Sequence, residues 1–257
     1  MMLAAVMLFG QFDGSLPGAA SADPVIDAAR EKAFSFTETL PNYVVKQLTT
    51  RYGTDPASRN REAWKQLDVV TADVVYDYGR ESYANVLDNG KRTKDIQQTG
   101  AWSQGEFAGI LKTLLSPDSE AVFSNGQQVM IVNRPAWRYD YLVDQPHSAW
   151  LVEVNGEKYK PSYSGAIWID RETDRVLRIE MTARDIPREF PFDTVRSSID
   201  YDFVPIEARR FLLPVHSEAV SCLRGTSECT RNVIEFRGYK KYASDTSITF
   251  EGSPQSK

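Results

Sequence analysis

The chain has few of the side chains that most often carry out chemistry. It contains 2 His and 2 Cys among 257 residues, which leaves little material for a nucleophile–base pair or a metal site. It also lacks phosphate-binding and dinucleotide-binding glycine motifs. No dense Lys/Arg run is present and the formal net charge is −5, which argues against a nucleic-acid partner. We therefore predict a protein that is not an enzyme and that uses no cofactor and no metal.

Long apolar runs are also scarce. Beyond the N-terminus none reaches the ~18 residues needed to span a bilayer, so we predict no transmembrane segment in the mature chain. Residues 1–10 are apolar, and Ala20-Ser21-Ala22 has the form that signal peptidase reads. A basic stretch before the apolar run is missing, and a buried N-terminal segment is the alternative. We predict a signal peptide over residues 1–22 and a periplasmic or secreted protein.

The two cysteines, Cys222 and Cys229, bracket a short loop with Gly225 near its centre. Strand-like segments lie on both sides, so the two Cβ atoms can face each other across a hairpin end. A metal pair would need further ligands nearby, and free buried thiols are the other alternative. We predict a disulfide, which agrees with an oxidising compartment.

Two segments have the three- and four-residue spacing of amphipathic helices. The first runs from Pro24 to Leu40, with Asp23 in position to cap it and Pro41 to end it. The second ends before Pro117, and its apolar face consists of Phe107, Ile110, Leu111, Leu114 and Leu115.

The remainder alternates with the period of two that β-strands show. Asn89-Gly90, Asn125-Gly126, Asn155-Gly156 and residues 171–174 are turn signals between these runs. We predict a mainly β (α+β) fold, in which a strongly curved antiparallel sheet or half-open barrel has two amphipathic helices plugging its concave face. A single domain should cover residues 23–251, followed by a disordered tail over residues 252–257.

Residues that could suggest a catalytic or metal site have simpler explanations. His147 and His216 lie in strand-rich surroundings without a nucleophile motif, so surface positions are expected. Asp170, Glu172 and Asp174 alternate like a calcium loop but lack its central Gly and distal Glu. A hairpin turn, with Asp174 in a left-handed conformation, explains them better.

Residues 168–179 read W-I-D-R-E-T-D-R-V-L-R-I, and residues 211–214 read F-L-L-P before an alternating strand. The first stretch resembles the W-I-D-x-E-T-G-x-V-L-R hairpin of periplasmic lipoprotein-carrier (LolA/LolB-like) domains, and the second also occurs in that group. As a whole the chain is similar to exported bacterial proteins of acidobacterial type. It differs from the carriers in placing Asp174 where Gly is usual and in adding the cysteine loop.

The resemblance implies a non-catalytic carrier or binding protein of the cell envelope for lipids, lipoprotein acyl chains or another apolar small molecule. An envelope protein-interaction or sensing module, with an envelope protein as partner, is the alternative. On the carrier hypothesis an apolar cavity is lined by Val74, Tyr76, Phe107, Ile110, Leu111, Leu114, Trp168, Leu177, Ile179, Met181, Ile199, Tyr201 and Phe203.

Overall fold

In the computed structural model, the structure describes residues 5–9, 23–57, 60–77, 80–93, 100–103 and 109–242. The helices are Pro24–Thr39 (α1) and Gly109–Leu115 (α2). The strands are Ala5–Phe9 (β1), Tyr43–Thr54 (β2), Trp64–Asp77 (β3), Arg80–Asp88 (β4), Lys91–Arg92 (β5), Trp102–Ser103 (β6), Val122–Ile131 (β7), Arg134–Val143 (β8), Trp150–Val154 (β9), Glu157–Tyr159 (β10), Ser162–Asp170 (β11), Val176–Arg184 (β12), Phe192–Ile206 (β13), Arg209–Leu223 (β14) and Cys229–Lys241 (β15).

One large sheet dominates the molecule. Its 11 strands follow the order β5-β4-β3-β2-β15-β14-β13-β12-β11-β8-β7, with antiparallel neighbours throughout. The sheet is not closed, since β5 and β7 are its two edges. The predicted class, a mainly β fold built on one antiparallel sheet with two helices, is confirmed.

A smaller sheet of 4 strands has the order β10-β9-β1-β6. The backbone of Ala5–Phe9 pairs antiparallel with β9 and parallel with β6. The predicted signal peptide includes this segment, and the rest of residues 1–22 lies outside the described residues. Export, the single-domain boundaries and the 252–257 tail therefore stay predictions.

Both helices begin or end as their sequences predict. The Asp23 side chain accepts a hydrogen bond from the Val25 backbone N–H at 2.9 Å, which caps α1, and Pro24 occupies the first turn. α2 ends before Pro117, which opens a short 3-10 turn over Pro117–Ser119. Within the part of the chain that is described, no helix is long and apolar enough to cross a bilayer.

The hairpin turns show where sequence signals succeed and fail. Asn89-Gly90 joins β4 to β5 and Asn155-Gly156 joins β9 to β10, each pair at positive φ as predicted. Asn125-Gly126 is a correction, because it forms an irregularity inside β7 and not a turn. A Cβ at Gly126 would lie 2.6 Å from the Tyr139 ring, which accounts for the glycine.

The turn between β7 and β8 is made by Val132 and Asn133, at φ 46° and 61°. A β-branched residue rarely adopts a positive φ, so Val132 holds a strained conformation. Its side chain is 87% exposed and that of Met130 is 67% exposed. This hairpin tip, Met130–Asn133, therefore combines backbone strain with exposed apolar surface.

Candidate functional site

The apolar residues predicted to line a cavity are packed in the main hydrophobic core. Helix α1 contributes Ile26, Ala29 and Ala33 to this core, and the large sheet contributes its inner face. The predicted residues that are buried in it are Val74, Tyr76, Ile110, Leu111, Leu114, Leu177, Ile179, Met181, Ile199 and Tyr201. The structure thus brings them together in one buried layer.

Two of the remaining predicted residues are not buried members of this layer, and the third is not described. Phe203 is only partly buried against the core, and the Arg134 guanidinium lies 5.0 Å from its ring centroid. Trp168 needs correction: it lies on the outer face, because its neighbours Ile167 and Ile169 take the inward positions of β11. Phe107 lies outside the described residues.

Hydrogen bonds of Arg30 and Tyr139 attach the helices to their neighbours. Arg30 of α1 donates from Nε to the Leu115 carbonyl oxygen at 2.8 Å and pairs with Asp27 at 3.0 Å. The first of these bonds satisfies one of the carbonyls that the end of α2 leaves open. Tyr139 donates to the Asp23 carboxylate; burial first, and then this bond, raises the pKa of Tyr139 to about 12.

An open cleft of about 470 Å³ lies beyond this layer, where β2, β3 and β15 meet the segment 100–101. Its volume falls in the range of small-molecule sites. Of the predicted cavity residues that the structure describes, none lines it. Its walls are formed by Arg51, Tyr52, Gly53, Thr54, Pro56, Leu67, Asp68, Asp88, Asn89, Gly100, Ala101, Glu228, Cys229, Thr230 and Asn232.

A buried ion pair forms the floor of the cleft. Arg51 Nε lies 2.5 Å from Asp68 Oδ1 and Arg51 Nη2 lies 2.6 Å from Asp68 Oδ2, a two-pronged contact. The side chains are only 4% and 7% exposed. Gly100 allows the approach of the loop, since a Cβ there would meet Arg51 Nη1 at 2.7 Å. The guanidinium and the loop are therefore fitted to each other.

Sequence reasoning missed these polar residues, although a signal for them exists. Tyr43 and Val45 of β2 point into the core, and continuing the period of two places Gln47, Thr49 and Arg51 on the same face. The inner face of the sheet thus changes along β2 from apolar to polar. A search of β2 for apolar residues alone overlooks this change.

The predicted disulfide is confirmed and lies beside the cleft. Cys222 and Cys229 are direct partners in β14 and β15, with Cα atoms 4.0 Å apart. The Cys229 backbone N–H donates to Thr54 Oγ1 at 2.7 Å, and that hydroxyl donates to the Ser227 carbonyl at 2.5 Å. The cysteine hairpin is thereby joined to the end of β2.

The outer face of the sheet carries a row of charged and aromatic side chains. Two guanidinium groups, those of Arg138 and Arg178, lie 5.4 Å and 5.8 Å from the Trp168 ring centroid. Arg178 Nη1 then reaches Asp200 Oδ1 at 2.5 Å, and His216 Nδ1 lies 3.3 Å from Asp200 Oδ2. These contacts cross five neighbouring strands of the sheet, from β8 to β14.

This row shifts the pKa values of its members. The hydrogen bond with Asp200 raises the pKa of His216 and outweighs burial, which acts in the opposite direction. Burial alone would raise the pKa of Asp200, but the bonds from His216 and Arg178 lower it overall. His216 is therefore a partly exposed residue held by its contact with Asp200.

Other candidates for chemistry also have structural roles. Asp170 Oδ1 accepts from the Glu172 and Thr173 backbone N–H groups and from the Thr173 hydroxyl, while Oδ2 contacts Arg134. Asp174 has φ 56°, so these residues form the predicted hairpin turn. Among the described residues, no group of three or more His, Cys, Asp or Glu side chains is arranged to hold a metal ion.

No protein-family model matches the chain, and no curated protein matches it. Similar solved structures include a LolA superfamily protein from Nitrosomonas europaea, at TM-score 0.33 and 10% identity, covering 88% of this chain and 95% of that one. An outer membrane lipoprotein-sorting protein domain from Vibrio parahaemolyticus has TM-score 0.40 and 5% identity, covering 87% and 94%. The MucA/MucB complex of Pseudomonas aeruginosa has TM-score 0.25 and 10% identity, covering 81% of this chain and 93% of that one. Values this low assign no role to any residue.

Proposed function

We propose that this protein is a non-catalytic carrier or binding protein of the cell envelope for lipids, lipoprotein acyl chains or another apolar ligand. The supporting observation is that helix α2 shares one buried apolar cluster with the inner face of an open sheet. Ile110, Leu111 and Leu114 of α2 are buried in the same cluster as Ile179 and Ile199 of the sheet. An acyl chain that replaced the helix would meet the same apolar surface.

Displacement of α2 is the step that this function requires. The helix has 7 residues, whereas an isolated helix shorter than ~12–15 residues is marginal in water, so α2 depends on its packing. Exposed apolar surface costs about 25 cal/mol per Å², and a bound acyl chain would offset that cost by covering the surface again. The Arg30–Leu115 bond holds the helix closed and sets how readily it moves.

The test combines native mass spectrometry of the purified protein with binding of the apolar dye N-phenylnaphthylamine. We expect bound lipid, and dye fluorescence that rises faster in the Arg30→Ala variant because α2 is less firmly held. Lys32→Ala, which removes a cation from the same helix, is the matched control and should leave the rate unchanged. A lipid-free spectrum together with no dye response in any variant would contradict the proposal.

The hairpin tip favours a second candidate, an envelope protein-interaction or sensing module. Strand β7 is an edge of the large sheet, and the tip exposes Met130 and Val132 on a strained turn. A photo-crosslinking residue at position 132 should then capture one envelope protein reproducibly. The same residue at Glu157, on an exposed position of the smaller sheet, serves as control. Equal labelling from both positions would count against this candidate.

A further inference from the structure

Strand β7 is an edge of the large sheet without the usual protection against pairing. Proteins commonly guard such edges with charged side chains, prolines or very short strands. Residues 121–133, which contain β7 and its turn, include no Asp, Glu, Lys, Arg or Pro. The 10 residues of β7 are all exposed or half-buried, and among the described strands β7 pairs only with β8. One side of β7 is therefore open to another strand.

Other sheet edges in the described structure are protected. At the opposite edge of the large sheet, β5 consists of Lys91 and Arg92, and the uncovered part of β4 begins with Arg80 and Glu81. The smaller sheet ends at β10, where two of three residues are charged. Like charges that face each other across strands are destabilising. Of these three edges, only β7 is both long and uncharged.

Exposed apolar surface lies at the same edge. In the described part of the chain five large apolar side chains are exposed, and four of them belong to β7, its turn and β8. Val122 and its cross-strand partner Leu142 are at the start of β7, with 64% and 39% exposure. Met130 and Val132 are at its end, with 67% and 87% exposure. Apolar side chains grouped in this way mark a contact surface.

The charges that flank β7 have opposite signs at its two ends. Asp118 and Glu120 are exposed just before the strand. Arg134 and Arg171 lie at the other end, where Arg171 Nη1 donates to the uncharged Gln128 side chain at 3.0 Å. Two antiparallel copies of β7 would place the acidic end of one beside the cationic end of the other. Parallel copies would place like charges together, which costs binding energy.

We propose that β7 pairs antiparallel with β7 of a second copy of this chain, so that a two-fold dimer contains one continuous sheet. A two-fold contact joins the same surface of both copies and must therefore be self-complementary. Pairing Val122 of one copy with Ile131 of the other satisfies this condition. It brings Val122 and Leu142 towards the exposed hairpin tip of the second copy, and opposite charges meet at both ends.

The dimer is also where assembly stops. Each β7 is used in the contact, and the edge that remains carries Lys91 and Arg92, which would repel their counterparts in another copy. The pairing needs no bound lipid, so this inference does not rest on the carrier function.

Analytical ultracentrifugation of the purified protein tests the association, and we expect a monomer–dimer equilibrium without larger species. Met130→Lys adds a cation to the edge of each copy and should weaken dimerisation at least about tenfold. Leu67→Lys is the matched control, because it replaces the fifth exposed apolar side chain, on β3, with the same cation. It should leave the dissociation constant unchanged, and circular dichroism should show that both variants are folded.

Cysteine crosslinking tests the orientation. Cys222 and Cys229 are joined to each other, so a single added cysteine reports alone. Gln127 is exposed near the middle of β7, where antiparallel pairing brings it close to its counterpart, so Gln127→Cys should form a covalent dimer on oxidation. Position 132 is more accessible, but its two copies would lie roughly 30–35 Å apart along the paired strands. Val132→Cys should therefore form no covalent dimer.

A protein that sediments as a monomer at every concentration would overturn the inference. Equal weakening by the two lysine variants would overturn it too, and so would crosslinking through position 132 in preference to position 127. A monomer that instead binds lipid vesicles through the hairpin tip, or a different envelope protein through β7, would also refute it. Dimerisation without any bound lipid would support this inference while the carrier proposal failed, so the two can be distinguished.

Discussion

Replacing Arg51 by methionine would leave Asp68 as an unpaired carboxylate in a site that is almost closed to water. The Arg51 and Asp68 side chains are 4% and 7% exposed, and two hydrogen bonds of 2.5 and 2.6 Å join them. Removing one partner of such a buried pair costs about 3–5 kcal/mol, because the remaining charge keeps its desolvation cost and loses its compensation. We expect Arg51→Met to lower the free energy of unfolding by that amount.

The same two strands supply the control. Lys46 and Asp73 also pair between β2 and β3, at 2.8 Å, but the Lys46 side chain is 62% exposed. Lys46→Met should therefore cost about 0–1 kcal/mol.

The measurement is urea unfolding at pH 7, followed by circular dichroism and supplemented by a double variant. Adding Asp68→Leu to Arg51→Met removes the orphaned charge, so we expect most of the lost stability to return. Equal costs for Arg51→Met and Lys46→Met would refute the reasoning, since burial would then have no effect on the pair. A double variant that is less stable than Arg51→Met would refute it as well.

Three further predictions concern pH, the disulfide and the loop glycine. The raised pKa of His216 adds stability that is complete below its ordinary pKa of 6.5 and is lost as the pH rises through its folded pKa. The lowered pKa of Asp200 adds stability that is present above about pH 4 and is lost as the pH falls. His216→Gln should flatten the first dependence in unfolding curves taken between pH 5 and pH 9, and an unchanged profile would contradict it. Replacing Cys222 and Cys229 by serine should lower the free energy of unfolding by about 2–3 kcal/mol, because the loop that the disulfide closes is short. Urea unfolding measures this loss, and the reduced wild-type protein should be as stable as the variant. Gly100→Ala should lower the melting temperature, because its φ is 134° and the added methyl would lie 2.7 Å from a buried guanidinium nitrogen; Gly156→Ala, also at positive φ but in open space, should cost less.

Local chemistry made much of the fold predictable from the sequence. Asp23 and Pro24 mark the start of α1 because capping and a fixed φ are properties of single residues. Asn89-Gly90 marks a hairpin for a similar reason, since both residues tolerate positive φ. Asn125-Gly126 has the same local signal, yet β7 continues through it, because pairing with β8 and the nearby Tyr139 ring decide the conformation there.

The candidate site depends on contacts that no local pattern records. Arg51, Asp68 and Asn232 are far apart in sequence and lie on neighbouring strands only because β2 stands between β3 and β15 in the sheet. The carrier hypothesis places Trp168 inside, whereas the alternation of β11 places Ile167 and Ile169 there. Period two alone would have corrected that assignment, while the cleft required the full strand order.

The position of β2 next to β15 has a consequence for how the molecule folds. These strands come from opposite ends of the described chain, yet they form the join between the two halves of the large sheet. Pairing between such distant segments slows folding, because the entropy of closing a long loop is lost before the contacts that compensate for it can form. Strands β3 and β4 join the rest of the sheet only through β2, so they do so only after β15, the last strand among the described residues, has been synthesised. Until Cys229–Lys241 has been synthesised, the edges of β2 and β14 that it joins therefore stay unpaired, and exposed strand edges of this kind are prone to aggregate.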